Sequence, residues 1–138
     1  ERRGYYPFRE IGTKIIIPTI VNDTQEALFV LDTGAAINLL SLQLAEKVNY
    51  TRSTESRIVG LSGAVANTRK ANQIDLTLAG VQQTSYNTFS IDMASMSQDM
   101  GTEIGGFVGY PLLQHVTLLI DYRTATLRMI PEPSRLSK

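Results

Sequence analysis

Short segments of β-forming residues, separated by turn residues, recur along almost the whole chain. The first two, IIIPTI (residues 15–20) and ALFVL (27–31), are joined by the polar NDTQ (22–25), which is the pattern of a β-hairpin. Strands at such short spacing favour an all-β barrel or sandwich over alternating strands and helices. Further segments of this kind are RIVGLSGAVA (57–66), QIDLTLAGV (73–81), TSYNTFSIDM (84–93) and VTLLIDYRTATLRMI (116–130).

Pro18 lies inside the first of these segments. Proline has no main-chain N–H to give to a neighbouring strand, so it is found at sheet edges and at bulges. We therefore predict that the first strand is an edge strand or carries a bulge, and that it does not lie centrally in a sheet.

Two segments have helical character. SLQLAEKV (41–48) has apolar residues at helical spacing, with Ser41 as the N-cap. YPLLQH (110–115) places Pro111 in a first turn, where proline is tolerated, and predicts a helix of one or two turns. The segment ASMSQDMGTE (94–103) is predicted to be a loop, and Met93, Met96 and Met100 are predicted to pack within it rather than to form a binding face.

Composition narrows the classes of function. The 138 residues fit a single domain, predicted over residues 1–131, with residues 132–138 as a polar tail or linker. Thirteen basic and thirteen acidic residues give no net charge, so no nucleic-acid partner is expected. With no cysteine and one histidine, a zinc or thiolate site is not expected, and we predict no metal and no cofactor. The apolar segments are too short for a membrane helix, so we predict that this segment is soluble. The sequence does not indicate a cellular compartment. A periplasmic or secreted location would require that a targeting segment had been removed from the protein.

Asp32, Thr33 and Gly34 follow directly on the apolar segment FVL (29–31). A carboxylate at the end of a buried strand is costly unless it is paired or hydrogen-bonded, and catalytic groups concentrate at such positions. The simpler interpretation is a tight turn, for which Asp and Gly are common residues. Two later segments favour catalysis: the glycine-containing hairpin at 57–66, and GGFVGYPLLQHVTLLIDY at 105–122.

In this order, the segments resemble the retropepsin-like (retroviral-type) aspartic proteases over residues 14–130. DTGA (32–35) resembles the catalytic motif, and LLSLQLAEKV (39–48) the helix that follows it in bacterial and eukaryotic members. The hairpin at 57–66 resembles the flap, and residues 107–109 resemble the segment before the family's last helix. The resemblance implies an all-β acid-protease barrel, closed or partly open, with a flap hairpin and one or two short helices.

The resemblance also implies an endopeptidase and assigns roles to its residues. Asp32 would be catalytic, the Thr33 hydroxyl would bond across a dimer interface, and the Gly34 amide would point at a carboxylate, with a small residue at Ala35. The flap would close over an extended polypeptide and bind its main chain, as an added strand does. Its residues are Val59, Gly60, Leu61, Ser62 and Gly63, and the structural residues near the site are Phe107, Val108 and Gly109.

An aspartic protease needs two carboxylates, which share one proton because like charges about 3 Å apart cannot both be ionised. The chain has one DTG and is too short for two such lobes, so we predict a homodimer in which a twofold axis brings two copies of Asp32 together. The resemblance implies an interface built largely from the terminal strands, which here are the segments YYPF (5–8) and TLRMI (126–130). A pair sharing a proton predicts the best activity at acidic to mildly acidic pH.

Some features depart from the family or leave alternatives open. Tyr110 and Pro111 stand where relatives often carry a polar pair, and the flap lacks the tyrosine of two-domain pepsins.

The alternative function is a catalytically silent dimerisation or peptide-binding module with the same fold. His115 is expected to cap or pack, and Asp121 to serve a hairpin turn, although it could be imagined as a second carboxylate.

Overall fold

Strands dominate the computed structural model, which describes residues 3–48, 52–59, 65–71, 73–86 and 88–132, with the backbone alone at 52–59 and 65–71. The helices of this described part are α1 (Leu42–Val48), α2 (Ala94–Met100) and α3 (Tyr110–Leu113). The strands are β1 (Tyr6–Pro7), β2 (Arg9–Ile11), β3 (Lys14–Val21), β4 (Gln25–Leu31), β5 (Leu39–Ser41), β6 (Arg52–Val59), β7 (Val65–Ala71), β8 (Gln73–Leu78), β9 (Val81–Tyr86), β10 (Phe89–Ile91), β11 (Gly106–Val108), β12 (Val116–Asp121) and β13 (Thr126–Pro131).

The predicted first hairpin is confirmed as β3 and β4, which pair antiparallel from Ile15↔Leu31 to Val21↔Gln25. Its apolar residues do not alternate strictly with polar ones because both faces are covered. Ile17 and Phe29 belong to the larger of two buried apolar clusters, while Ile16 and Val30 belong to the smaller one. A strand buried on both faces has a continuous apolar sequence, as these two strands have.

Ten strands of the described residues form one sheet, in the order β6-β7-β10-β5-β11-β4-β3-β8-β9, with β2 added beside β3. The edge prediction for the strand that contains Pro18 is therefore wrong. One side of β3 pairs with β4 throughout; on its other side, β2 pairs as far as Ile16 and β8 begins at Thr19. Pro18 is tolerated in a central strand because it lies between these two partners.

Strands β6 and β7 flank the position of the flap predicted from the glycines at 60–63, and they pair antiparallel up to Val59↔Val65. The tip itself, residues 60–64, lies outside the described residues. On its other side β7 pairs with β10, where Phe89 is opposite Lys70. The hairpin is thus joined to the body of the protein through β10.

Helix α1 confirms the N-cap prediction, since the Leu44 N–H donates to Ser41 Oγ over 3.0 Å. Helix α3 confirms the prediction of a short helix that includes Pro111. The loop prediction for residues 94–103, in contrast, is wrong, because α2 occupies most of that segment. It ends at Gly101, whose φ of 73° is the left-handed cap that glycine favours.

The methionines of the α2 segment explain that helix. Met93 is buried, and Met96 and Met100 pack beside it on the smaller cluster, at the spacing of one helical face. At the start of the helix, the Ala94 N–H donates to Asp92 Oδ1 over 2.9 Å. Packing of this face, rather than intrinsic propensity, selects the helix.

The chain closes as a three-stranded sheet in the order β1-β13-β12. The predicted final hairpin is confirmed, with Asp121 in its turn: Oδ1 accepts from the N–H groups of Arg123 and Thr124. Together the two sheets confirm the predicted all-β fold, with three helices in the described residues where one or two were expected. None of the described helices has the length and apolar character needed to cross a membrane.

Candidate active site

Asp32 directly follows β4, at the point where that strand stops pairing with β3. Its N–H donates to the Val108 carbonyl over 2.9 Å, which ties the residue to β11. The side chain is half-buried, and its Oδ1 accepts the Gly34 N–H over 3.1 Å. The Ala35 N–H donates back to the Asp32 carbonyl over 3.1 Å. The loop therefore forms a tight turn around one carboxylate that solvent can still reach.

The strands under this loop are arranged so that β11 lies between β4 and β5. It runs parallel to β4, with Val108 opposite Leu31, and antiparallel to β5, with Gly106 opposite Leu40. The chain leaves β4 at Asp32 and must cross the end of β11 before it enters β5. This crossing places residues 32–38 over the end of β11, where residues 107–109 support them.

Gly109 lies where the loop and β11 meet most closely. A Cβ at this position would be 2.6 Å from the Ala35 carbonyl oxygen and 2.8 Å from that of Ile37. The next residue, Tyr110, donates its N–H to the Ala35 carbonyl over 2.8 Å. Phe107 and Val108 are buried, one in each apolar cluster. Phe107, Val108 and Gly109 thus form the part of the protein on which the Asp32 loop packs.

The sequence interpretation missed Asn38, which is nearly inaccessible with 3 % of its surface exposed. Its Oδ1 accepts the Gly109 N–H over 2.8 Å, and its Nδ2 donates to Ser85 Oγ over 2.8 Å. Ser85 Oγ in turn lies 2.6 Å from Thr88 Oγ1. A polar residue between apolar Ile37 and Leu39 was the available signal, but its partners lie 71 and 47 positions away.

The other predicted site residues divide between loop and flap. Thr33 and Gly34 are exposed at the tip of the Asp32 loop, and Ala35 is half-buried beneath it. Val59 ends β6, and its side chain is not among those described. Gly60, Leu61, Ser62 and Gly63 lie outside the described residues.

The groups considered for other chemistries lie in structural positions. The Asp121 carboxylate accepts a hydrogen bond from the Arg123 N–H within its turn. His115 is exposed, and its main-chain carbonyl accepts the Glu132 N–H over 2.9 Å. Within the described ranges, no three His, Cys, Asp or Glu side chains are grouped so that they could hold a metal ion. At Asp32 the structure thus has a half-buried carboxylate, which can accept or donate a proton, in a loop hydrogen-bonded to β11.

A protein-family model described as aspartyl protease matches residues 17–112, a range that contains the Asp32 loop and Gly109. The chain belongs to the aspartyl protease family. Among solved structures, this family member is similar to a retropepsin-like aspartic protease from Rickettsia conorii, with a TM-score of 0.56 and 17% sequence identity. The match covers 94% of this chain and 92% of that one, so the two share the retropepsin-like fold. The curated proteins contain no match.

Proposed function

We propose that this chain is an aspartic endopeptidase, which hydrolyses peptide bonds with water activated by two Asp32 carboxylates, one from each copy of a homodimer. The observation that carries the proposal is the Asp32 carboxylate at the end of a central strand, half-exposed and held by the Gly34 N–H. The membership of the aspartyl protease family over residues 17–112 supports it.

The chemistry explains the need for the second copy. The loop of residues 32–38 contains one acidic residue, whereas water activation in this class uses a pair that shares one proton. Because the Gly34 N–H occupies Asp32 Oδ1, we infer that Oδ2 faces the water and the partner's carboxyl group. The ionised member of the pair then takes a proton from water, and the protonated member gives one to the leaving nitrogen. No covalent intermediate and no cofactor are needed.

The dimer interface is proposed to involve the terminal sheet. Its central strand, β13, pairs with β12 along its length, whereas its pairing with β1 is limited to Thr126 and Leu127. In the described sheet the open edges are those of β1 and β12. Leu119 and Tyr122 lie on or beside β12 and are exposed by 41% and 59%. We infer that β12 contributes to the contact together with the terminal segments 5–8 and 126–130.

The proposed substrate is an unfolded or extended polypeptide. A flap made of β6, β7 and residues 59–63 would place main-chain groups beside the peptide, and strand-like binding requires the peptide to be extended. Folded proteins would be cut only where a segment of about strand length is exposed.

The test compares cleavage of a denatured protein mixture by the wild type, Asp32→Asn and the matched control Asp23→Asn. Asp32→Asn keeps the shape but cannot act as general base, so its rate should fall by roughly 100- to 10,000-fold. Asp23→Asn alters an exposed carboxylate of the β3–β4 turn, which accepts from Gln82, and should stay within about twofold of the wild type. The wild-type rate should be highest at acidic to mildly acidic pH, because the pair must hold one proton.

Three results would contradict the proposal. Equal rates for the wild type and Asp32→Asn would exclude the catalytic role, and rates unchanged from about pH 4 to about pH 9 would contradict the shared proton. Sedimentation across concentrations that finds a strict monomer would exclude the homodimer. A dimer that is inert in all three forms would instead identify a silent dimerisation or peptide-binding module.

A further inference from the structure

We propose that Asn38 is a positioning residue, which holds the Asp32 loop in its reactive geometry through Gly109 and is itself aligned by Ser85 and Thr88. This inference rests on the proposed peptidase function for its effect on catalysis. The structural part concerns the amides of residues 32 and 109 and can be measured without catalysis. Asn38 touches no reacting atom, so its effect is indirect.

The orientation of the Asn38 amide follows from the chemistry of its partners. The Gly109 main-chain nitrogen is a donor only, so the side-chain atom that faces it over 2.8 Å must be the oxygen. The nitrogen then faces Ser85 Oγ and donates to it over 2.8 Å. Ser85 Oγ lies 2.6 Å from Thr88 Oγ1, where either hydroxyl can donate, and Thr88 Oγ1 also lies 3.4 Å from the Ser85 carbonyl oxygen. The two partners of Asn38 thus give its amide one orientation.

The burial of these groups makes the arrangement rigid. Asn38, Ser85 and Thr88 are exposed by 3%, 1% and 2% of their surfaces, so water cannot easily replace a lost partner. An amide left without its bonds at this depth would be costly, which gives the native orientation a large advantage over alternatives. The network therefore fixes the position of whatever it is bonded to.

The bonded segment carries the Asp32 loop. Val108, the residue before Gly109, accepts the Asp32 N–H, and Tyr110, the residue after it, donates to the Ala35 carbonyl. Gly109 thus lies between two bonds that hold the start and the end of the turn around the carboxylate. If the Asn38 bond is removed, both supports can move together, and the carboxylate moves with them.

The network also reaches toward the flap. The Asn38 carbonyl accepts the Phe89 N–H over 3.4 Å, and Phe89 begins β10, which pairs with β7 of the flap hairpin. Thr88 is the residue just before β10. The same residues, through the main chain of Asn38 and the side chain of Thr88, therefore connect the support of the catalytic loop with the strand to which the flap is attached.

The experiment compares Asn38→Ala with a matched control, Asn22→Ala. Asn22 also accepts a distant main-chain N–H, that of Asp75 over 3.0 Å, but lies in the β3–β4 turn. Both variants should lose stability, so kcat and KM are measured below the unfolding transition of each and at a concentration that keeps the dimer. Asn38→Ala should lower kcat about 100-fold with KM changed less than about threefold, as expected for a misplaced catalytic group. Asn22→Ala should keep kcat within about twofold.

Amide hydrogen exchange gives a readout that is independent of catalysis. In Asn38→Ala the amides of Asp32 and Gly109 should exchange at least about fivefold faster than in the wild type, and in Asn22→Ala they should not. Should Asn38→Ala fail to fold, Ser85→Ala takes its place, since it keeps the Gly109 bond but removes the alignment. Its kcat should fall about fivefold, and exchange at Gly109 should rise.

The outcomes separate this proposal from the proposed function. An active wild type with Asn38→Ala equal to Asn22→Ala in kcat and in exchange overturns the positioning role and leaves the peptidase proposal intact. An inert wild type in which Asn38→Ala still accelerates exchange at Asp32 overturns the peptidase proposal and supports the positioning role. A fall in kcat matched by a rise in exchange at Asp32 supports both.

Discussion

Replacing Gly109 with alanine tests how closely the Asp32 loop is pressed onto β11. The added Cβ would lie 2.6 Å from the Ala35 oxygen, 2.8 Å from the Ile37 oxygen and 3.0 Å from the Ala35 Cβ. Gly109 has a φ of −113°, an extended conformation that alanine also adopts, so the whole cost is steric. The two nearest atoms belong to the main chain and cannot rotate away, so the loop must move outward.

The magnitude follows from two opposing effects. At an open site, Gly→Ala stabilises by about 0.4–1 kcal/mol because it reduces the freedom of the unfolded chain. Overpacking in a tight site costs about 1–3 kcal/mol, and the outward shift also stretches the bond from Gly109 to Asn38, worth about 1 kcal/mol. We expect Gly109→Ala to lower the free energy of unfolding by about 2 kcal/mol and to lower kcat at least about tenfold.

The assay is urea unfolding at fixed protein concentration, followed by circular dichroism, with peptide cleavage measured in parallel. Gly12→Ala is the control: its φ of +61° disfavours alanine by about 1–2 kcal/mol, but nothing lies within 4 Å of the added Cβ. This control should lose stability and keep its activity. If Gly109→Ala is as stable and as active as the wild type, the close contact between loop and β11 does not exist in solution.

Two further predictions concern helix ends. Ser41→Ala removes the acceptor for the Leu44 N–H and should lower the free energy of unfolding by about 1 kcal/mol, while Ser41→Thr should restore most of that loss. Urea unfolding measures both variants. An unchanged unfolding midpoint in Ser41→Ala would refute the cap. The Ala94 N–H, and then the Gln43 amide, hold the pKa of the exposed Asp92 carboxyl below its ordinary value. The resulting stabilisation is present above the ordinary pKa and is lost as pH falls through the lowered one, so thermal unfolding of Asp92→Asn should depend less on pH in that acidic range than unfolding of the wild type. Equal pH dependence of the two proteins would refute this.

Local sequence signals identified most of the strands and two of the helices, because the relevant interactions are close in sequence. Ser41 caps α1 by accepting a hydrogen bond from the N–H three residues later. The Asp121 carboxylate accepts hydrogen bonds from the N–H groups two and three residues later. The helix at residues 94–100 was missed because Ser, Gln and Asp dominate it and suggested a loop. Its signal was the spacing of Met93, Met96 and Met100 followed by Gly101, which indicates an apolar face and a helix end.

The candidate site was predictable only where a motif marks it. Asp32 and Gly34 are two residues apart, and their hydrogen bond could be expected from the motif. Asn38 could not be assigned a role, because its partners Gly109 and Ser85 come near only when distant strands have assembled. Pro18 was misplaced for a related reason: whether a strand is central depends on which other strands reach it, and the position of β8 beside β3 is a property of the whole fold.

The insertion of β11 between β4 and β5 has a consequence for the order in which the protein matures. As the chain is synthesised, β4, the Asp32 loop and β5 emerge early, but the strand that separates them emerges only with residues 106–108. Until then the loop has neither the Val108 carbonyl nor Gly109 to rest on. Under the proposed peptidase function, we therefore expect a chain truncated before residue 106 to carry the full DTG motif and yet be unable to cut polypeptides, even as a dimer, so that proteolysis would wait for the synthesis of β11.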